Sequence, residues 1–487
     1  MQEKTFFQRY GLILGFVILA IVMMLPNPAG LTPAGHVMIA MLLFSVTIWM
    51  TDSVSYPVSA GLIISLMAML IGFSQNPANG KLYGTSAALG IALGGFANTA
   101  FCLVAAALFL AAAMTKTGLD KRIALVVLSK IGAKTSNVLA GVFFVGFILS
   151  FFVPSTTARV SCMVPIIMGI INAFGVNKKG AFAGVMMIAA AQADSIWNVG
   201  IKTAAAQNMI AVNFIKTQLG VDISWMDWFI AAAPFAVIMS VVAYYVLLKM
   251  MPPEISEIKG GEDTVKKLLA ELGPMSFDEK KLMLISVILL AFWSTEQKLH
   301  DIDTSTSTMI AITIMMLPKI GVMNWEYAQS KINWGTAILF GVGISLGSAL
   351  LSTKAADWLA KAIIVTFGLE TASALSVLAI LSVFLIIIHL GFASASGLAA
   401  AMIPIIISIL KTVKTPGINV VGMTMILQYV VSFGFILPVN APQNMIAYGT
   451  DTFEVRDFIR IGIPMTIIAF ALIMALAATY WKWMGYV

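Results

Sequence analysis

Apolar residues occupy this chain in long blocks, and polar residues interrupt those blocks at only a few places. Unbroken apolar runs fall near residues 11–25, 33–50, 54–73 and 97–116. An amphipathic stretch follows at 119–131, then two shorter apolar arms at 136–153 and 157–172 that flank Ser155. An interrupted stretch covers 180–213, and a further run covers 228–250. The order then recurs, with runs near 281–296, 305–322 and 334–352 and an amphipathic piece at 353–367. Arms at 371–390 and 396–411, an interrupted stretch at 416–448 and a last run at 458–484 complete it. About 20 apolar residues coiled as a helix match the roughly 30 Å of hydrocarbon in a bilayer. A membrane barrel would instead show alternating segments of about ten residues, and these runs do not alternate. The pattern predicts an all-α polytopic membrane protein.

The polar interruptions repeat. Pro154-Ser155-Thr156-Thr157-Ala158-Arg159, followed by Met163-Val164-Pro165-Ile166-Ile167, is echoed by Ala393-Ser394-Ala395-Ser396 and Met402-Ile403-Pro404-Ile405-Ile406. Ser155 maps to Ser394 and Pro165 to Pro404, a shift of 239 in both cases (394−155, 404−165). Gln207-Asn208-Met209-Ile210-Ala211 recurs as Gln443-Asn444-Met445-Ile446-Ala447, a shift of 236 (443−207). Two motifs in one order at nearly one offset imply a duplicated half, and matching polar interruptions in two halves point to a transport site. The arms are short for spans and their tips are polar, so each pair is expected to form a re-entrant hairpin. That gives about 11 transmembrane helices plus the two hairpins. Non-helical backbone at such depth is tolerated only beside protein or a wet cavity. Ser and Thr cap the following helix, whose free N–H groups and positive dipole end then suit a carboxylate. In the second copy Pro438 and Pro442 surround Asn440 and force a helix break. The first copy has only Gly200 and Thr203 there.

Loop charge sets the orientation. Lys4, Arg9, Lys116, Lys121, Arg122, Lys130, Lys134, Lys178 and Lys179 gather on one side. Lys249, Lys259, Lys266, Lys267, Lys280 and Lys281 of the polar linker at 252–280 join them. The positive-inside rule places that side, with the amino terminus, in the cytoplasm. Lys411 and Lys414, at the base of the second hairpin, then lie outside, so the two halves are inverted repeats. With 60% hydrophobic and 10% charged residues, the 487-residue chain has too little polar surface for a soluble domain. The net charge of +7 resides in loops beside spans rather than in a basic domain, which argues for a lipid bilayer and against nucleic acid as partner. No small-residue cleavage site follows the first apolar run, which reads as a retained span in the plasma membrane. Cys102 and Cys162 sit in apolar stretches and suggest neither a disulfide nor a metal site.

Intramembrane charges are few and therefore informative. Arg159 follows the first tip, Lys202 precedes the first Asn motif, and His389 precedes the second tip. Each is either a cation for an anionic substrate or half of a buried pair; a continuous helix would let Asp194 pair with Lys202. The candidate substrate-binding set is Ser155, Thr156, Thr157, Arg159, Lys202, Thr203, Asn208, His389, Ser394, Ala395, Ser396, Asn440 and Asn444. Hydroxyls and amides in apolar helices often serve only as helix–helix ties; their duplication favours a site. No Gly-Lys-Ser/Thr nucleotide loop, His-Glu zinc signature or carboxylate cluster occurs, so neither an enzyme nor an ATP-driven pump is expected.

These motifs resemble the divalent anion/sodium symporter family of dicarboxylate, tricarboxylate and sulfate carriers, over nearly the whole chain. That family carries two Ser-Asn-Thr motifs at hairpin tips, each followed by a helix broken near a Pro-Asn motif. Ser155-Thr156-Thr157 and Ser394-Ala395-Ser396 fall on the tips, and Asn208 and Asn444 on the Asn of the breaks. Thr156 and Ala395 replace the tip asparagines, and Gln207 and Gln443 stand where proline is usual. The resemblance is closest to the exchanger branch, with Arg159 and His389 serving where sodium ions otherwise do. It implies exchange of di- or tricarboxylates (2-oxoglutarate, malate, succinate, fumarate, citrate) with no cofactor and sodium disfavoured. The alternative is a sodium-coupled symporter of the same family; a channel or a membrane enzyme fits less well. The resemblance further implies a homodimer working as an elevator. Residues 1–135 and 281–370 would form scaffold spans with linking amphipathic helices, and 136–213 and 371–448 a transport domain. Residues 214–280 would be a span and linker, and 449–487 the last span.

Overall fold

The computed structural model describes residues 6–76, 79–132, 134–173, 175–256 and 261–487, and every regular element among them is a helix. Lys4 and Lys259, two of the loop charges used above, lie outside the described residues. Among the described residues seven helices are long and apolar enough to cross a membrane, from Pro33–Met50 to Val455–Trp483, with shorter apolar helices packed among them. The chain is a polytopic all-α membrane protein.

Each half contains a helical hairpin and a broken helix, and their boundaries correspond. The hairpins are Thr135–Phe152 with Thr156–Ala173, and Ala374–His389 with Ala395–Thr412. The two inner helices are both 18 residues long and start 239 apart (395−156). The broken helices are Ala181–Gly200 with Ala206–Leu219, and Val420–Val431 with Pro442–Tyr448. Single 3-10 turns, Lys202–Ala204 and Pro438–Asn440, sit inside the breaks and are offset by 236 (438−202). The first break thus forms without proline, because Ile201 and Ala205 adopt extended backbone just as Leu437 and Ala441 do.

The hairpins enter from opposite ends. At the first base, Thr135 Oγ1 donates to Ile255 O at 2.7 Å, just past the end of helix Trp225–Met250. At the second base, Lys411 Nζ donates to Gln218 O at 2.9 Å, just before that helix begins. Twenty-six helical residues separate the two contacts by about 39 Å, at roughly 1.5 Å per residue. The repeats are inverted. They are also interlocked: Pro442–Tyr448 packs on the first inner helix, and Ala206–Leu219 packs on the second.

Three features go beyond the sequence pattern. A short helix, Thr85–Leu93, lies between the apolar runs at 54–73 and 97–116. The polar linker contains an amphipathic helix, Gly261–Glu271, whose Val265 is buried. Helix Thr304–Met316 ends earlier than the apolar run because Leu317 precedes Pro318 and turns extended.

Close backbone approaches hold the breaks in place. A Cβ on Gly462 of the last helix would lie 2.1 Å from Phe435 O and 2.7 Å from Ile436 Cα, in the second break. That neighbour is backbone and has no rotamer to yield. Gly462→Val is therefore expected to cost on the order of 2–3 kcal/mol and to lower the thermal midpoint in detergent by several degrees. Gly90→Ala, at a helical glycine with open space around it, should leave the midpoint unchanged or slightly raised.

Candidate functional site

Both hairpin tips and both breaks meet at one cavity with an empty volume of about 1140 Å³, open solvent included. Val153, Pro154 and Ser155 form the first tip; Leu390 to Ser394 form the longer second one. Each tip serine caps the helix that follows. Ala158 N–H donates to Ser155 Oγ at 3.3 Å, and Gly397 N–H to Ser394 Oγ at 3.4 Å. The starts of Thr156–Ala173, Ala206–Leu219 and Ala395–Thr412 all lie on the wall. Three helix N-termini thus present N–H groups and positive dipole ends to one space.

Of the sequence candidates, Ser155, Thr156, Thr157, Thr203, His389, Ser394, Ala395 and Ser396 line the cavity. His389 is 2% exposed, and neither ring nitrogen has a hydrogen-bond partner among the described residues. It is the one imidazole on the wall, and both of its nitrogens are buried.

Asn208, Asn440 and Asn444 are not on the wall; they seal the backbone behind it. Asn208 Nδ2 donates to Asn198 O at 2.7 Å and Ile201 O at 3.2 Å, carbonyls orphaned where the helix stops. Asn444 Nδ2 donates to Gly434 O at 2.7 Å and Leu437 O at 3.5 Å, at the same spacings along the chain but within the break, past the helix end at Val431. Asn440 Nδ2 donates to His389 O at 2.8 Å, Leu390 O at 3.3 Å and Phe392 O at 3.1 Å, gathering the end of the second outer arm.

Arg159 and Lys202 also lie off the cavity wall. Arg159 is 1% exposed and pairs through Nε with Asp194. Its Nη1 donates to Val153 O at 2.7 Å and Ala204 O at 3.1 Å, and its Nη2 to Asn198 Oδ1 at 2.5 Å. Asp194 is therefore the partner of Arg159 and not of Lys202, from which the break separates it. Lys202 Nζ donates to Ile223 O at 2.6 Å and lies 3.5 Å from Thr304 Oγ1, which donates to Glu296 Oε2 at 2.6 Å.

The wall also carries residues that the motif reading did not single out. Gln207, Gln443, Asn198 and Ser432 come from the breaks; Tyr56, Trp293, Thr308, Asn333 and Thr336 come from neighbouring spans. Tyr56 lies beside Ser394 on the wall, and Trp293 Nε1 donates to Thr308 Oγ1 at 3.2 Å. The glutamines had a signal in their duplication, whereas the residues from the spans are single and carry none.

A family profile described as "Sodium:sulfate symporter transmembrane region" matches residues 7–487. A "Membrane protein" of Cupriavidus necator is 55% identical over 480 residues, covering 98% of this chain and 93% of that one. The "Inner membrane protein YbhI" of Escherichia coli is 28% identical over 488 residues, covering 99% and 98%. The "Sodium-dependent dicarboxylate transporter SdcS" of Staphylococcus saprophyticus is 24% identical over 491 residues, covering 96% and 90%. Among solved structures, the Alcanivorax borkumensis YdaH transporter is similar in fold, with a TM-score of 0.55 at 12% identity over 86% of this chain and 97% of that one. Full-length coverage by the profile, on a chain whose two inverted halves meet at one polar cavity, places the protein in the sodium:sulfate symporter transmembrane family of membrane transporters.

Proposed function

We propose that the chain exchanges di- and tricarboxylates of the malate, succinate, fumarate, 2-oxoglutarate and citrate class across the plasma membrane without sodium. The hairpin tips enter the membrane re-entrantly, with the amino terminus in the cytoplasm. The substrate's carboxylates sit against Ser155, Thr156 and Thr157 on one side and Ser394 and Ser396 on the other, facing the three helix N-termini. His389 supplies a further polar contact.

One observation carries sodium independence. Where each hairpin meets its break, carbonyl oxygens converge as they would around a coordinated Na⁺, and a built-in N–H donor already fills each cluster. In the first half it is the Arg159 guanidinium among Val153 O, Ala204 O and Asn198 Oδ1. In the second it is the Asn440 amide among His389 O, Leu390 O and Phe392 O. Neither donor can dissociate, so no ion gradient is spent. Exchange is obligatory when an empty carrier cannot return, and Arg159, paired with Asp194, does not supply that barrier. That role passes to the helix N-termini, whose donors face an apolar interior unsatisfied when the carrier moves empty. The sodium-coupled alternative draws support from the printed name of the SdcS relative.

The interlocked hairpins and broken helices suit a single transport body moving as an elevator against the scaffold spans, in a homodimer. The amphipathic helices Leu119–Leu128 and Ala355–Phe367 lie between hairpins and scaffold and suit the role of hinges.

Proteoliposomes loaded with unlabelled malate are expected to take up labelled malate equally in sodium and in choline medium. Liposomes without internal acid should take up little. A rise of severalfold with external sodium would sink the exchange reading in favour of symport. Ser155→Ala and Ser394→Ala should each reduce counterflow at least tenfold while eluting normally in size-exclusion chromatography.

Arg159→Met leaves Asp194 buried without its partner and should destabilise the protein by about 3–5 kcal/mol. The double change Arg159→Met with Asp194→Leu should recover a good part of that loss in thermal midpoint. A single mutant as stable as wild type would contradict the paired arrangement.

A further inference from the structure

We infer that Gln207 and Gln443 recognise an O–H donor on the substrate, so that the carrier favours acids with a hydroxyl on the chain between their carboxylates; the inference rests on the carboxylate reading above. Both side chains line the cavity and are 5% and 4% exposed. Gln207 Nε2 donates to Ser432 Oγ at 3.4 Å, and Gln443 Nε2 to Ser195 Oγ at 3.2 Å. Each glutamine thus reaches the broken helix of the opposite half; the glutamines are offset by 236 (443−207) and the serines by 237 (432−195).

The serines fix which way the carboxamides point. A hydroxyl has one proton to give. Ser195 gives its proton to Ala191 O at 3.0 Å, and Ser432 gives its own to Gln428 O at 3.5 Å. Both must therefore accept from the glutamines, which turns each amide nitrogen to the serine and each Oε1 away from it. Among the described residues no protein group donates to either oxygen. The Oε1 atoms of Gln192 and Gln428 are sealed inside the protein without a partner, whereas those of Gln207 and Gln443 stay accessible on the wall.

The rest of the binding wall supplies donors. Helix N-termini offer only N–H groups, and the tip hydroxyls can rotate to donate. A carboxylate is acceptor-only, so it is satisfied there and repelled by an amide oxygen. An O–H group is what the two oxygens can take. An alcohol on the carbon chain offers it, and so does an undissociated carboxyl. An acid lacking the group leaves a buried acceptor unpaired, which corresponds to roughly a tenfold loss per bond.

The test compares malate with succinate in counterflow by the full-length protein in liposomes. At pH 8, where both acids are fully ionised, wild type is expected to show a kcat/KM ratio of about ten in favour of malate. Gln443→Met and Gln207→Met should bring the ratio towards one. Ser195→Ala, which removes the group that fixes the Gln443 carboxamide, should lower the ratio while leaving counterflow intact. If the ratio is near one at pH 8 but succinate uptake climbs on acidification, and Gln443→Met abolishes that climb, the O–H belongs to an undissociated carboxyl and the preference for a chain hydroxyl is overturned. Ratios equal in wild type and both Met variants at either pH overturn it, leaving the glutamines as ties between halves. Should the Met variants fail to assemble, 2-methoxysuccinate, which keeps the bulk without the proton, decides: competition as strong as that of malate overturns the inference. Absence of counterflow by any di- or tricarboxylate overturns the functional reading itself, whereas counterflow with an unchanged ratio overturns this inference alone.

Discussion

Where a helix stops inside an apolar interior, its last carbonyls lose their partners, and in hydrocarbon each unsatisfied group costs several kcal/mol. The two broken helices make such stops at Gly200 and Val431, and both lie beside the cavity. Asn208 reaches back to Asn198 O and Ile201 O at the first stop, and Asn444 to Gly434 O and Leu437 O in the irregular stretch after the second. A carboxamide suits this task because it carries two N–H donors on one nitrogen and needs no counter-charge. With the carbonyls held from behind, the next helical segment can begin anew. Its N–H groups then face the cavity. The break and the anion-facing N-terminus are thus two sides of one arrangement.

The hairpins pose the same problem, and the two halves solve it differently. The carbonyl at the end of the first outer arm, Val153 O, is taken by Arg159 from within the hairpin. Its counterpart, Phe392 O (153+239), is taken by Asn440 from the break. The second-half positions matching Arg159 and Asp194 are Leu398 (159+239) and Val430 (194+236), both fully buried and apolar. One half therefore keeps a charged pair where the other keeps a neutral amide. A buried ion pair gains little net stability over well-packed apolar groups. What the guanidinium adds is reach: it ties the hairpin, the helix before the break and the turn inside it at once.

Much of this was legible in the sequence because duplication marks what composition hides. The hairpin arms, the tips and the second break fell where the polar interruptions and Pro438 and Pro442 put them. The first break had no proline to announce it, and its signal was Asn208, whose partners lie behind it in the chain. The motif asparagines read as ligands, since sequence shows that a polar group is duplicated but not which way it points. Pairing of Asp194 with Lys202 depended on a continuous helix, since helical spacing is the only proximity a sequence displays, and the break removes it. The true partner of Asp194 lies 35 positions away, on the hairpin. The span residues Tyr56, Asn333 and Thr336 left no trace, being single polar residues at helix starts, where caps are ordinary.

The charges near the motifs are matched locally rather than at the cavity. Arg159 faces Asp194, and Lys202 sits in a pocket that Glu296, Asp222 and Asp303 also line. The field in the cavity then comes from oriented backbone and neutral side chains. Three helix N-termini and the tip hydroxyls favour an anion without the presence of a bare cation, which would bind it too tightly to release. Fixed dipoles also need little reorganisation when a substrate arrives, unlike a mobile ion that must be captured first. A site of this kind distinguishes anions by where donors and acceptors alternate along its wall rather than by net charge. The two glutamine oxygens, acceptors set among donors, are the points at which such a wall can tell one carboxylic acid from the next.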